Sequence, residues 1–444
     1  MQLEDYLNEN KLYCPVQSGY RKGYGCETLL LKMNDDLMKE ADKNNLVALV
    51  LLDLSAAFDA IDHGILLKKL QYMYGINSIS LQWFKSYLND RSFCIYINKT
   101  QSGIEIILYG VPQGSILGPI LFILFTKDLS DIVLKYGFKL HLYADDSTLY
   151  VALNPLDPHD IENVKSKLEE CLKEIKVWMT SNFMKLNEEK TKLLVFGKRS
   201  NLKKHSPFEF TLDLNGNIIK NLDLMTDATE EGKCLGVHLR NDLSMERQIA
   251  AVRKTCFGTM YNMRNVKEYL DVETKLLLIK TLILSKLDYC NSLYMNIPKY
   301  LVKKLESLLN YCVRFIYKVP KRADTSQFYL KSHILPIDLR IQFKCLLIIQ
   351  KSIHGSAPDY LKEMIQCCNM DGRYSFRSPN DIFHLQTAHT ARTSVFSHRR
   401  FTMFAPQIWN TLPAEIRFCL DTESFKKQLK TYLFRDYEGH VTAA

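Results

Sequence analysis

The sequence predicts an α+β fold, with an antiparallel sheet and packed helices up to about residue 244 and a helical region from there to the end. Three observations carry that expectation. Short apolar or alternating runs, bounded by glycine and polar turns, interleave with segments of helical spacing through the first half. From about residue 245, Leu, Ile and Tyr recur at helical spacing with little interruption. A chain of 444 residues also exceeds one compact core, so two or three domains are expected.

Taken in order, residues 1–13 read as a short amphipathic helix and GYRKGYG (19–25) as a basic loop punctuated by glycines. A helix is expected over 26–43. The continuous apolar run 47–52 then suits a buried strand ending at Asp53. Asp62 is placed to cap a following helix that closes at Gly75, and 80–87 continues helical. Residues 91–110 read as a hairpin turning near 98–103. VPQGSILGPILFILF is a loop with two glycines feeding an apolar helix, in which Pro119 is structural. Residues 139–153 form strand, turn and strand, with Asp145 and Asp146 at the turn. A long helix over 160–183 precedes a strand in KTKLLVFG, and short strands surround CLGVHLR. The last hundred residues read as helical and loop-rich, ending in the helix-like SFKKQLKTYLF. Neither a repeat nor a low-complexity linker is apparent.

Composition sets bounds on function. Hydrophobic residues at 47% and charged residues at 24% are ordinary globular usage and exclude a wholly disordered chain. The longest apolar stretches, 46–52 and 116–125, fall short of the roughly 18 residues that span a bilayer, so no membrane partner is expected. The start, MQLEDYLNEN, lacks the basic and apolar regions of a secretory signal, which points to an intracellular setting, nucleus and cytoplasm both being compatible. The twelve cysteines are then expected as free thiols. None lies in a Cys-x-x-Cys pair, which gives a structural zinc site no support. A net charge of +9, clustered in LKKL, RKTCF, LVKKL, VPKR and HRRF, is compatible with a polyanionic partner but does not identify one.

The chemistry concentrates in HLYADDSTLY (141–150). Adjacent carboxylates in a half-buried strand repel each other and resist desolvation unless something positive is held between them. Asp53 ends another strand, and pairing the two in one sheet would bring all three acids together. Oxygen-only ligands suit a hard cation such as Mg2+. Two such ions about 3.5–4 Å apart activate an attacking hydroxyl and stabilise a leaving pyrophosphate. The plainer alternative is that Asp53 is a turn residue and Asp-Asp-Ser-Thr an ordinary turn composition.

In these contexts the chain resembles the reverse transcriptases of non-LTR (LINE-type) retrotransposons, in particular the jockey-like elements, over nearly its whole length. QSGYRKGYGCETLL (17–30) resembles the fingers-to-palm block, LLDLSAAFDAIDH (51–63) motif A, YGVPQGSILGPILF (109–122) motif B and LYADDSTLY (142–150) motif C. LNEEKTKLLVFG (186–197) is similar to motif D, KCLGVHLRNDLSMERQI (233–249) to the primer grip, and FAPQIWNTLPAEIR (404–417) to a segment of these elements' C-terminal region.

The resemblance implies a right-hand polymerase: partial fingers over 1–45, a palm over 46–244, a helical thumb over 245–330 and a helical C-terminal region, 331–444, without an assigned role. The implied activity is RNA-directed DNA polymerisation, extending a DNA primer on an RNA template from deoxynucleoside triphosphates with two Mg2+ ions, Mn2+ being the alternative. Asp53 and Asp145 would bridge both metals, with Asp146 beside them and the Leu54 carbonyl on the nucleotide-side metal. Phe58 would stack beneath the incoming sugar and exclude a 2′-hydroxyl, the alternative being a plain core residue. Gln113, Gly114 and Ser115 would form the motif B loop, Gln113 and Gly114 facing the nucleotide and Ser115 the template. Lys190 would serve as a general acid near pyrophosphate, against the alternative of a solvated lysine. Arg21 and Lys22 would touch phosphates, Tyr143 would pack by the primer end, and Ala144 would leave room for the primer sugar. Arg253, Lys254, Arg264 and Lys267 would grip duplex phosphates, against the alternative of a solvated face.

The chain begins immediately before the first of these blocks. The expectation is therefore an N-terminally truncated element, its endonuclease supplied by a missing N-terminal domain or another protein. Neither an RNase H signature nor a zinc knuckle is apparent. Two further readings stay open: a nucleic-acid-binding fragment without activity, and an RNA-dependent RNA polymerase, against which Phe58 argues.

Overall fold

The computed structural model describes residues 2–55, 58–112, 114–204, 210–214, 216–222, 232–367, 383–387 and 395–443. The chain divides into two compact units. The first comprises Met1–Lys22, Asn45–Val195 and Lys203–Asp223, and the second Gly23–Asn44, Phe196–Leu202 and Leu224–Ala444.

Fourteen strands are present among the described residues: β1 (Leu46–Leu52), β2 (Leu54–Ser55), β3 (Ser92–Phe93), β4 (Tyr96–Ile97), β5 (Thr100–Gln101), β6 (Glu105–Ile106), β7 (Lys139–Tyr143), β8 (Asp146–Leu153), β9 (Lys185–Leu186), β10 (Lys192–Phe196), β11 (Thr211–Leu214), β12 (Asn217–Leu222), β13 (Lys233–Cys234) and β14 (Val237–His238). The first unit is built on a sheet in the order β11-β12-β10-β1-β8-β7. Antiparallel pairings join β1 to β8, β7 to β8 and β11 to β12, and a parallel one joins β10 to β12. The expected α+β class, with its mainly antiparallel sheet, is the one observed.

β1 sits in the middle because its composition allows nothing else. Leu46, Val47, Ala48, Leu49 and Val50 are all 0–1% exposed, so both faces of the strand are covered. Each of these leucines and valines contributes about 1.5–3 kcal/mol by leaving water. The helix Pro158–Ser181 runs along the sheet with Val164, Leu168, Cys171, Leu172, Ile175 and Met179 buried. It starts where the sequence sets the start: Asp157 accepts from His159 N, and Pro158 occupies the first turn. Asp62 caps the helix His63–Tyr72 by accepting from Ile65 N at 2.7 Å, and Gly75 takes φ +67° just beyond it. The 91–110 segment is a two-tier hairpin, β3 on β6 and β4 on β5, and its turn is tighter than expected, with Asn98 and Lys99 both at positive φ.

Among the described residues of this unit, Lys69 is the buried lysine. Its Nζ donates to Phe125 O at 2.7 Å, pairs with Asp128 at 2.9 Å, and lies over the Phe125 and Trp178 rings. Burial pulls its pKa below the usual lysine value, and Asp128 opposes that. Lys69→Met keeps the apolar stem and strands Asp128 and the carbonyl. It should cost about 2–3 kcal/mol, read as a lower urea midpoint for this unit.

The second unit is helical. Its main members are Cys26–Asp42, Glu246–Arg264, Lys299–Tyr317, Ile337–Ile353, Phe401–Asn410 and Thr422–Ala443. The long helical pattern after 245 is broken more often than its periodicity suggests, by a 3-10 turn at Lys267–Tyr269 and a π-helical segment at Lys280–Leu284. The compact units also divide the chain differently from the sequence segments. Cys26–Asp42, placed by sequence with the partial fingers, packs in the helical unit instead. Polar contacts explain why: Glu27 accepts from Ser292 N at 3.0 Å and pairs with Lys344, while buried Asp35 accepts from Thr402 N and Oγ1 at 2.9 Å and pairs with Arg400. Among the described residues every cysteine is a free thiol, and no helix is long and apolar enough to cross a membrane.

Candidate active site

The β1–β8 register runs from Leu46 opposite Leu153 to Leu52 opposite Ser147. Asp53 follows directly on β1 and Asp146 opens β8, so the two acids lie at the same end of this strand pair. β7 and β8 are joined by a two-residue turn, Ala144 and Asp145, closed by Tyr143 opposite Asp146. The three acids expected to act together therefore share one end of two neighbouring strands. Their electrostatics agree. Crowding by surrounding atoms pushes the Asp146 carboxyl above its ordinary pKa, and the charges of Asp145 and Asp53 push it further. Asp146 is nonetheless exposed to solvent, so the two neighbouring charges are the more telling causes.

Asp53 is held from behind. Its carbonyl accepts from Asn187 N at 3.1 Å, and the next residue, buried Leu54, pairs with Leu186 across β2 and β9. That places the 187–191 turn beside the acids, and Lys190 Nζ lies 3.6 Å from Asp53 Oδ2. Among the described residues no three His, Cys, Asp or Glu side chains close around one point as a ready metal cage. In this arrangement the positive neighbour of Asp53 is an ammonium group. The donor set, carboxylate oxygens under mutual repulsion, fits a hard divalent cation.

The other expected site residues are placed as follows. Phe58 is half-buried, stacks on buried Phe122 at 4.5 Å and meets Tyr20 edge-on at 6.2 Å. Its carbonyl accepts from Val111 N, tying motif A to motif B. Gly110, at φ +88°, is where the two segments touch: an added Cβ would lie 3.0 Å from the Asp59 backbone. Gln113 lies outside the described residues. Gly114 is exposed at φ +79°, and Ser115 Oγ accepts from Gly118 N at 3.0 Å, which starts the Gly118–Phe125 helix. Tyr143 is half-buried beside the turn. Arg21 directs its guanidinium inward, donating to Cys14 O and Gln17 O and lying over the Tyr13 ring, whereas Lys22 is exposed. Arg253 and Lys254 lie in the second unit on Glu246–Arg264, Arg253 over the Phe257 ring and Lys254 exposed.

Sequence reasoning missed three contributors. Asn187 holds the Asp53 carbonyl. Tyr20, exposed and at φ +57°, has its phenol pKa raised by burial and then by the charge of Asp145, which places it beside the acids. Gln17 touches the Ala144–Asp145 turn directly. None carries a local signal, because each acts on a residue far away in the chain.

The sequence model of the family described as reverse transcriptase (RNA-dependent DNA polymerase) matches residues 1–239. The chain is 27% identical over 267 residues to the probable RNA-directed DNA polymerase from transposon BS of Drosophila melanogaster, covering 59% of this chain and 28% of that protein. It is 24% identical over 334 residues to the RNA-directed DNA polymerase from mobile element jockey of Drosophila funebris, covering 73% of this chain and 33% of that protein. The chain thus spans about a third or less of the length of these curated relatives. Apo telomerase from Candida tropicalis overlaps 80% of this chain and 58% of its own, at 11% identity and a TM-score of 0.41, a likeness too loose to argue from. With more than half of its residues under the family model, and motif acids at one sheet end, the chain belongs to the reverse transcriptase (RNA-dependent DNA polymerase) family.

Proposed function

We propose that this chain is the polymerising part of a non-LTR, LINE-type retrotransposon protein, an RNA-directed DNA polymerase that extends a DNA 3′ end on an RNA template. The carrying observation is the shared strand end of Asp53, Asp145 and Asp146 in a chain of this family. Reverse transcriptases use divalent metal ions. Asp53 and Asp145 would hold two Mg2+ ions, with Asp146 and the Leu54 carbonyl beside them, and Mn2+ could replace Mg2+. When bound, such ions activate the primer hydroxyl and neutralise the leaving pyrophosphate.

The chain's own groups do the rest. Phe58, backed by Phe122, forms a flat floor under the incoming sugar. Gly114 would line the nucleotide, as would Gln113, which lies outside the described residues, and Ser115, Tyr143 and Lys22 would face template and primer. In this reading 46–244 acts as the palm and 245–330 as the thumb, whose Arg253 and Lys254 meet duplex phosphates. Strand nicking would come from an endonuclease elsewhere in the whole protein or from another protein.

Lys190 leaves Asp53 for the departing pyrophosphate and gives it a proton. Because Lys190 is 69% exposed, water partly replaces it, so Lys190→Ala should lower the single-turnover rate only about tenfold. Lys190→Arg should retain charge pairing with Asp53 but lose the acid step, since arginine holds its proton. The test of the whole reading is primer extension on poly(rA)/oligo(dT) with Mg2+, against an Asp145→Ala control. Extension indistinguishable from the control would overturn it.

A further inference from the structure

We infer that Gln17 is the positioning residue of the catalytic turn, fixing Asp145 by gripping the backbone of Ala144; the inference rests on the polymerase reading above. Gln17 is 1% exposed and lies 127 residues from its target. The chain at 16–18 runs alongside β7: Leu142 N donates to Val16 O at 2.9 Å, Ser18 N donates to Leu142 O at 2.8 Å, and Gln17 bridges Leu142 in parallel. That pairing delivers the side chain to the turn. Its Oε1 accepts from Ala144 N at 3.0 Å and from Gly19 N at 2.7 Å, and its Nε2 faces Ala144 O at 3.4 Å. Two N–H donors converge on one terminal atom, so that atom is the oxygen and the amide orientation is fixed by chemistry. A carboxamide can engage the N–H and C=O of one residue together; no aliphatic side chain can.

Two features show why the grip is needed. Ala144 has φ +57°, a region an L-residue adopts only when its surroundings enforce it, and Asp145 is the very next residue. Gly19 stands so close that a Cβ there would lie 2.2 Å from Ala144 N and 2.9 Å from its Cα, backbone atoms that have no rotamer to escape into. The turn is thus enclosed between a buried amide and a bare glycine backbone. Released from them, Ala144 relaxes toward negative φ and Asp145 swings with it.

The test uses Gln17→Leu, which removes acceptor and donor, and Gln17→Glu, which keeps an acceptor of the same reach for both N–H groups. Asp145-dependent Mn2+ binding is read by electron paramagnetic resonance on the full chain, alongside thermal unfolding, template–primer affinity and single-turnover rate. Gln17→Leu should weaken Mn2+ binding about tenfold and slow the chemical step by a similar factor, with template–primer affinity unchanged. Gln17→Glu, whose second oxygen faces Ala144 O where the wild type has Nε2, should fall between Gln17→Leu and wild type in Mn2+ binding. A merely structural role would lower the melting temperature and leave metal affinity per folded molecule unmoved. If Gln17→Leu does not fold, Gly19→Ala, which presses on the same backbone, carries the comparison. Wild-type Mn2+ affinity in the folded variant overturns the positioning role and leaves the polymerase reading standing. Absence of Asp145-dependent binding in the wild type overturns both.

Discussion

Asp145→Ala reduces RNA-templated primer extension by about a thousandfold or more, while the melting temperature without added metal stays level or rises. The two halves of this expectation come from one geometry. Burial raises the pKa of Asp146 and the charges of Asp145 and Asp53 raise it further, so three negative groups are crowded at one sheet end. A carboxylate whose folded pKa is raised is destabilising while ionised, at pH values above that pKa, and the penalty fades as pH falls through it. At neutral pH the trio therefore weakens the fold, and deleting one member relieves it. Function demands the opposite, since a cation pair can be held only where the repulsion exists. Asp145→Asn, of equal size, should behave like alanine in both assays. A variant that lost activity together with several degrees of melting temperature would instead mark Asp145 as a structural residue, and the catalytic assignment would fall.

Much of this site is legible in the sequence because it is made of local patterns. The run 46–52 has no polar member, so it must be a central strand, and Asp53 is the first residue able to end it. Strand, turn and strand can be read from 139–153 for the same reason, with one shift: the turn is Ala144–Asp145, and Asp146, expected in it, already opens β8. The cap at Asp62 needs only its own helix. What escapes is anything set by a partner distant in sequence. Arg21 and Lys22 look alike as neighbours in a basic loop, yet one donates to two carbonyls and the other is exposed. No periodicity separates an arginine satisfied by its own turn from one that reaches a phosphate. Cys26–Asp42 has ordinary amphipathic spacing, and only its acids' distant partners, Ser292, Lys344, Thr402 and Arg400, decide which unit it joins. Gln17 and Asn187 are invisible on the same ground: each serves a backbone atom in another segment.

Phe58→Val opens the site to ribonucleotides, lowering the preference for deoxynucleotides by about a hundredfold while deoxynucleotide incorporation falls only a few-fold. The ring is held as a wall would need to be. Phe122, fully buried, stacks on one face at 4.5 Å and 24°, and Tyr20 meets it edge-on at 87°, so the ring cannot tilt away from an extra hydroxyl. Its carbonyl is also anchored to Val111, which fixes the backbone beneath it. A clash enforced by a packed neighbour is steep: relief requires moving Phe122, and Phe122 lies in the core. Valine removes the outer half of the ring and leaves the backbone hydrogen bond intact, so discrimination should suffer more than rate. The alternative, that Phe58 only fills space against Phe122, predicts lost stability with unchanged sugar selectivity. Incorporation of single ribo- and deoxynucleotides by wild type and Phe58→Val on one RNA template separates the two, and equal selectivity in both proteins would remove Phe58 from the nucleotide site.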